Sequence, residues 1–176
     1  MTPPPSVGDL RLRAWQAEDA ATVRAAFSEP EMAWQADEPV DSLGAAARWV
    51  ARRAAERDAG SAYAFAVEDE NGTALGNASV GAVNHVHGIG WVSYWTTPGA
   101  RGRGVAAYGC GAVAGWAFAE LGLFRLELGH RTNNLASCRV ARAAGFAVEG
   151  LQRQKLTYDG IRYDVELHAR LATDPC

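Results

Sequence analysis

From Ile161 to Leu171, apolar and polar residues alternate without a break. Ile161, Tyr163, Val165, Leu167, Ala169 and Leu171 share one face, and Arg162, Asp164, Glu166, His168 and Arg170 share the other. A period of two predicts a strand that is half exposed in an antiparallel sheet. The Asp159-Gly160 pair before it predicts a hairpin turn, and residues 146–158 predict its extended partner, bent at Gly150. Shorter alternations predict strands at 10–14, 63–68, 74–83, 89–96 and 125–128.

Helical spacing fills the remaining stretches. Val23 and Phe27, four apart, predict a short helix over 18–27. Asp41 or Ser42 can cap a longer helix to about residue 58, closed by Gly60. Further helices are predicted at 105–121 and at 134–144, the latter capped by Asn134 and ended by Gly145. Residues 28–41, which carry Pro30 and Pro39, read as a loop or broken helix, and residues 1–8 as a Pro-rich tail. Strands interleaved with helices imply one mixed sheet with helices packed on it, a single domain over 9–176.

Composition narrows the function classes. Apolar residues make up 48% of the 176, as in a globular core, and the net charge is −3. An acidic chain does not suit general nucleic-acid binding. No run approaches a membrane span. The N-terminus lacks the apolar core of a secretory signal. Cys110, Cys138 and Cys176 are scattered and odd in number, with no pair at metal-ligand spacing. Reduced thiols, a cytoplasmic location and no bound metal are the expectations.

Against that acidic background, residues 95–105 stand out: Trp-Thr-Thr-Pro-Gly-Ala-Arg-Gly-Arg-Gly-Val. A strand ends at Pro98, crosses a basic glycine-rich turn and enters a helix. Gly102 and Gly104 bare backbone N–H groups beside the positive end of the helix dipole, and Arg101 and Arg103 add forked donors for phosphate. No Gly-Lys-Ser/Thr follows, and the spacing is not that of a dinucleotide turn. Gly109, Gly111 and Gly115 in the helix each cost up to about 1 kcal/mol relative to Ala, which predicts a close approach to the sheet. Downstream, Asn134 and Ser137 open the next helix, whose exposed first turn can either serve the helix alone or meet a ligand.

Together these segments resemble the GCN5-related N-acetyltransferase (GNAT) superfamily, and the RimJ/RimL branch within it. Arg101-Gly-Arg-Gly104-Val-Ala106 fits the superfamily's coenzyme A signature. Tyr94 to Pro98, Asn134-x-x-Ser137, Gly145-Phe146 and Glu149-Gly150 fit the branch, as do Pro30-Glu31, Trp34, Asp159-Gly160 and Asp164. The resemblance implies an α/β fold with a mixed, mostly antiparallel sheet, splayed central strands and helices on both faces. It implies acetyl transfer from acetyl-CoA to a primary amine, a protein N-terminus or a small amine, in a ternary complex.

By the same resemblance, Tyr94, Trp95 and Thr96 would pair with the pantetheine arm. Arg101, Gly102, Arg103, Gly104, Val105, Ala106 and Ala107 would cradle the pyrophosphate. Asn134 would bond the arm, and Ser137 would protonate the departing thiolate. The tyrosine acid of many superfamily members is replaced here by Ala141, and an acidic residue common in the branch by Trp91. The general base is therefore open among Glu31, Asp37, Glu38, His85, His87, Glu149 and a water relay through Ser93. Trp34, with Asp37 and Glu38 nearby, is the candidate acceptor wall and would favour a cationic acceptor. A homodimer through strand edges and the Tyr163 face is possible. A non-catalytic acyl-CoA-binding module is the alternative function.

Overall fold

The computed structural model describes residues 10–36 and 38–175. The tail at 1–8, Asp37 and Cys176 lie outside the described residues. Seven strands form one sheet: β1 (Arg11–Ala14), β2 (Tyr63–Glu68), β3 (Ala74–Asn84), β4 (Ile89–Thr96), β5 (Arg125–Arg131), β6 (Ala147–Tyr158) and β7 (Ile161–Leu171). Their spatial order is β1-β2-β3-β4-β5-β7-β6. Every pairing is antiparallel except β4 with β5. The helices are α1 (Ala20–Phe27), α2 (Leu43–Asp58), α3 (Val105–Glu120) and α4 (Leu135–Ala143). This is the mixed, mostly antiparallel architecture expected.

Each sheet face has its own core. Val113, Ala114 and Ala117 of α3 pack with Val80, Val92, Leu126 and Leu128, and Ala141 of α4 and Phe146 complete that layer. On the other face, α1 and α2 cover an aromatic cluster in which Trp15 stacks on Trp95 with centroids 5.6 Å apart and meets Trp49 edge-on at 5.2 Å. The Trp15 indole N–H donates to Asn77 Oδ1 at 2.9 Å, so the one polar atom of that ring is satisfied inside the cluster.

Local signals hold where chemistry is local. Ser42 caps α2 by accepting from the Ala45 N–H. Gly60 and Gly145 take the left-handed conformation at the ends of α2 and α4. Residues 30–35 form a 3-10 helix within the expected broken segment.

Three expectations need correction. The strand at 125–128 runs on to Arg131, because β7 pairs with it as far as Arg131 and Val165. The polar face of β7 is only partly solvated: Arg162 is exposed, but Asp164, Glu166 and Arg170 are half-buried and His168 is fully buried. β7 lies between β5 and β6 rather than at an edge, and Cys138 of α4 contacts Glu166, so that face is covered there. Of the α3 glycines, only Gly109 answers to crowding; a Cβ there would lie 2.8 Å from Val67 and 3.1 Å from Ala78. Gly111 and Gly115 would meet nothing within 4 Å, because they point away from the sheet.

Candidate active site

The parallel pairing of β4 and β5 is short. It joins Ile89 to Arg125, Gly90 to Leu126 and Trp91 to Glu127, and then stops. Beyond Trp91 the two strands part, and β4 keeps its ladder only with β3. Main-chain groups of β4 on the β5 side are left facing the gap, where a strand-like ligand can pair with them.

At the end of β4 the chain turns through Gly102 and Gly104, at φ 72° and 80°, into α3. Gly104 is the N-cap residue in left-handed conformation, and no side chain caps the helix. The N–H groups of Val105, Ala106 and Ala107 therefore have no intrahelical acceptor. A Cβ at Gly102 or Gly104 would meet no atom within 4 Å, so the space before these amides is open. This is an anion site by construction, because bare donors and the helix dipole act together.

A cleft of roughly 510 Å³ joins this turn to α4. Of the residues expected to bind the cofactor, Tyr94, Thr96, Arg101, Gly102, Gly104, Val105, Ala106, Ala107, Asn134 and Ser137 line it. Arg103 does not, and Trp95 turns its ring into the opposite aromatic core, so Trp95 could contribute only main-chain atoms. Arg139 on the next turn of α4 lines the cleft as well; its signal in the sequence was its place two residues past Ser137. Asn134 Oδ1 accepts from the Ser137 N–H at 3.1 Å and caps α4, which leaves its amide nitrogen as donor.

Tyr94 stands where this cleft meets a second one. Its hydroxyl is buried and makes no hydrogen bond. Burial pushes its pKa up to about 12, against the pull of the adjacent Ser137 hydroxyl. An unpartnered buried phenol is costly unless a ligand completes it. Residue types at fixed spacing could not reveal this, since Tyr94 and Ser137 are on different elements. Ala141, which stands where many superfamily members carry a tyrosine acid, is fully buried in the core.

The second cleft lies across the gap and is lined by Glu31, Trp34, Trp91, Ser93, Tyr94, Arg101, His130, Arg131, Ser137 and Tyr158, among others. Trp34 stacks on Tyr158 with centroids 4.5 Å apart. The Arg131 guanidinium sits 5.1 Å from Trp34, 5.3 Å from Tyr158 and 5.1 Å from Tyr163. The Tyr163 face is thus engaged within the chain. Glu38 is bonded to Arg52 at 2.8 Å and lines a different hollow, beside Trp49. It does not join Trp34 in an acidic acceptor wall.

Among the candidate bases, Glu31 lines this cleft, and Ser93 is exposed in it. His85 and His87 lie exposed in the turn before β4, at the opposite end from the cradle. Glu149 is held by Arg125 through a two-point ion pair on β6, which keeps its carboxyl below the usual range.

A family model described as "Acetyltransferase (GNAT) domain" matches residues 9–147. The probable N-acetyltransferase YjcK of Bacillus subtilis (strain 168) is 33% identical over 84 residues, 48% of this chain and 46% of that protein. The match thus spans about half the length of that curated relative. Among solved structures, Mycobacterium smegmatis RimJ in complex with CoA-disulfide superposes with a TM-score of 0.82 at 24% identity, over 93% of this chain and 82% of that one. Vibrio cholerae spermidine N-acetyltransferase, in complex with CoA and spermine, gives 0.81 at 20% identity, over 95% and 98%. The likeness to these proteins is one of fold.

Proposed function

Because the chain belongs to the acetyltransferase (GNAT) family, we propose that it transfers an acetyl group from acetyl-CoA to a primary amine by direct attack in a ternary complex. The observation that carries this reading is a passage formed by two clefts that meet at Tyr94 and Ser137. On the α3 side it meets uncapped amides beside Gly102 and Gly104, and on the other side it passes through the gap beyond Trp91. The first suits a pyrophosphate, and the second suits an extended amide-bearing arm and an amine arriving from the far side.

The N–H groups of Val105, Ala106 and Ala107 hold the pyrophosphate, with Arg101 and Arg139 at the rim. Main-chain groups of Tyr94, Trp95 and Thr96 pair with the arm, and the Asn134 amide donates to it. Acetyl-CoA supplies the activated thioester. A main-chain N–H in the Trp91–Trp95 stretch of β4 stabilises charge developing on the carbonyl oxygen. Tyr94 and Ser137 supply hydroxyl donors to the departing sulfur; a phenol whose pKa is about 12 stays protonated at neutral pH and can donate. Glu31, directly or through a water at Ser93, takes the proton the ammonium must lose.

Trp34 and Tyr158 wall the acceptor cleft. One solved structure of similar fold is RimL, a ribosomal L7/L12 alpha-N-protein acetyltransferase, and another is the spermidine N-acetyltransferase, so both acceptor classes are carried forward: a peptide N-terminus and a small amine. The test is thiol release from acetyl-CoA against peptides, polyamines and aminoglycosides, with products identified by mass spectrometry. Turnover with one class establishes the transfer and chooses the acceptor. Silence across the panel with acetyl-CoA still binding by calorimetry favours the non-catalytic acyl-CoA-binding module, the reading that Trp91 and Ala141 motivate. Silence without binding overturns both.

A further inference from the structure

Behind the acceptor cleft lies a cluster that the transfer reaction does not use. β7 pairs with β5 so that Glu166 stands opposite His130 and His168 opposite Leu128. Cross-strand partners share a face, so His130, Glu166 and His168 converge on the side that α4 covers. There Cys138 closes the group. His130 Nε2 lies 2.9 Å from His168 Nε2 and 3.4 Å from Glu166 Oε1. His168 Nε2 lies 2.9 Å from Glu166 Oε1, and Cys138 Sγ lies 3.5 Å from the same oxygen. All four atoms fall within 4.8 Å of one another.

The tautomers expose the problem this cluster poses. His130 Nδ1 is 3.0 Å from the Arg131 carbonyl oxygen, and His168 Nδ1 is 3.3 Å from that of Phe146. A carbonyl can only accept, so each ring's N–H is spent there. In neutral rings both Nε2 lone pairs then point at each other and at a carboxylate, in a place where His130 is 7% and His168 0% exposed. Three acceptors meet with only the Cys138 thiol beside them. Such an arrangement calls for a cation. His130 lines the acceptor cleft, but its Nδ1 is taken by the Arg131 carbonyl and its Nε2 by His168, so the pair is not arranged as its general base.

We propose that His130, Cys138, Glu166 and His168 bind one zinc ion, with Nε2 of each histidine, a Glu166 oxygen and the Cys138 thiolate as its four ligands. A proton bridges two acceptors along a line, whereas four atoms enclosing a common centre suit a tetrahedral ion. Ligand distances usual for Zn²⁺ give tetrahedron edges of about 3.3 Å between N or O atoms and about 3.6 Å to sulfur. The observed spacings approach this once His168 Nε2 draws back by roughly half an ångström from both His130 and Glu166, and Cys138 Sγ, within 4.8 Å of the other three atoms, closes on them. Two imidazoles, a carboxylate and a thiolate form the borderline-soft set that favours zinc over magnesium or calcium. The two carbonyls that take the Nδ1 protons are the outer partners that orient metal-bound histidines.

With all four positions filled by protein, the ion is structural and clamps α4 to β5 and β7. The ligands come from positions 130, 138, 166 and 168, so no short spacing announces them. The site does not depend on the acetyl-transfer reading.

The test uses the full chain, stripped with chelator and titrated with Zn²⁺ by calorimetry, with bound metal counted by mass spectrometry after dialysis. One equivalent is expected, with a rise in melting temperature. Co²⁺ in its place should give tetrahedral visible bands and a thiolate-to-cobalt charge-transfer band. Cys138→Ser should abolish that band and weaken Zn²⁺ binding by roughly tenfold or more. His168→Gln should weaken it at least as much. Cys138 is only partly buried and on a helix, so its variant keeps the test decisive if His168→Gln fails to fold. No stoichiometric binding, or binding that both variants retain, overturns the site.

Discussion

Ser137 on α4 faces the buried Tyr94 hydroxyl on β4, and that phenol has no hydrogen bond of its own. The pair spans the point where the two clefts meet. Two hydroxyls, one kept protonated by burial, converge where the proposed transfer places the departing sulfur. Removing one aimed donor from a dry site typically costs two to three orders of magnitude in rate. Tyr94→Phe should therefore lower kcat about 100-fold while acetyl-CoA affinity by calorimetry changes by only a few-fold. Ser137→Ala should behave alike but more mildly. With Tyr94 titrating near 12, its ionisation should add no alkaline limb to the pH–rate profile near neutrality. Retention of wild-type kcat in Tyr94→Phe would end its assignment.

Gly104 opens α3 at φ 80°, a conformation that costs a residue with a Cβ about 1–2 kcal/mol. Gly104→Ala should weaken coenzyme A binding about tenfold by tilting the amide cradle, in equilibrium dialysis or calorimetry. An unchanged Kd would show that the cradle is not what holds the phosphates.

The α3 glycines should separate cleanly in thermal or urea melts. Gly111→Ala and Gly115→Ala point into open space and should each stabilise by about 0.5–1 kcal/mol. Gly109→Ala drives a methyl against Val67 and Ala78 and should destabilise by about 1–3 kcal/mol. The same sign at all three positions would contradict the packing described.

Arg13 links two carboxylates near the sheet edge, bonding Asp19 at 2.6 Å and 2.8 Å and pairing with Glu68, which Arg11 also contacts. Burial pushes both carboxyls up, but the bonds and charge of the arginines outweigh it and hold them below their ordinary values of 3.8 and 4.5. The sign follows: a carboxyl with a depressed folded pKa adds stability above its unfolded value and loses it as pH falls through the folded one. Stability should therefore drop below about pH 4 and steepen further into acid. Arg13→Gln should cost on the order of 3 kcal/mol at neutral pH and flatten that acid slope, as read from urea unfolding.

Arg131 already fills the space between Trp34, Tyr158 and Tyr163. A cationic acceptor cannot use that aromatic surface while the guanidinium is there. Arg131→Leu should raise kcat/KM for polyamines severalfold relative to neutral peptides. Trp34→Ala should raise the KM of the acceptor and leave that of acetyl-CoA near its original value. An equal shift in both constants would place Trp34 outside the acceptor wall.

Much of this protein was decided by residues close together in the chain. Turns at Gly60, Gly145 and Asp159-Gly160, the caps at Ser42 and Asn134, and the glycine cradle before α3 depend on neighbours within a few positions. Alternation and helical spacing therefore located the elements, and the basic turn announced an anion site. The tertiary structure decided what alternation cannot encode. β7 became an inner strand, so the part of its polar face around His168 turned into a buried cluster rather than a solvated surface. The parting of β4 from β5 is a property of two strands at once. Tyr94 became a buried, unpartnered donor, and met Ser137, only through folding, and Glu38 left the acceptor wall because Arg52 binds it elsewhere. Local conformational preference acts over a few residues, whereas burial and side-chain pairing are set by whichever distant element packs on top, and only folding brings that element there.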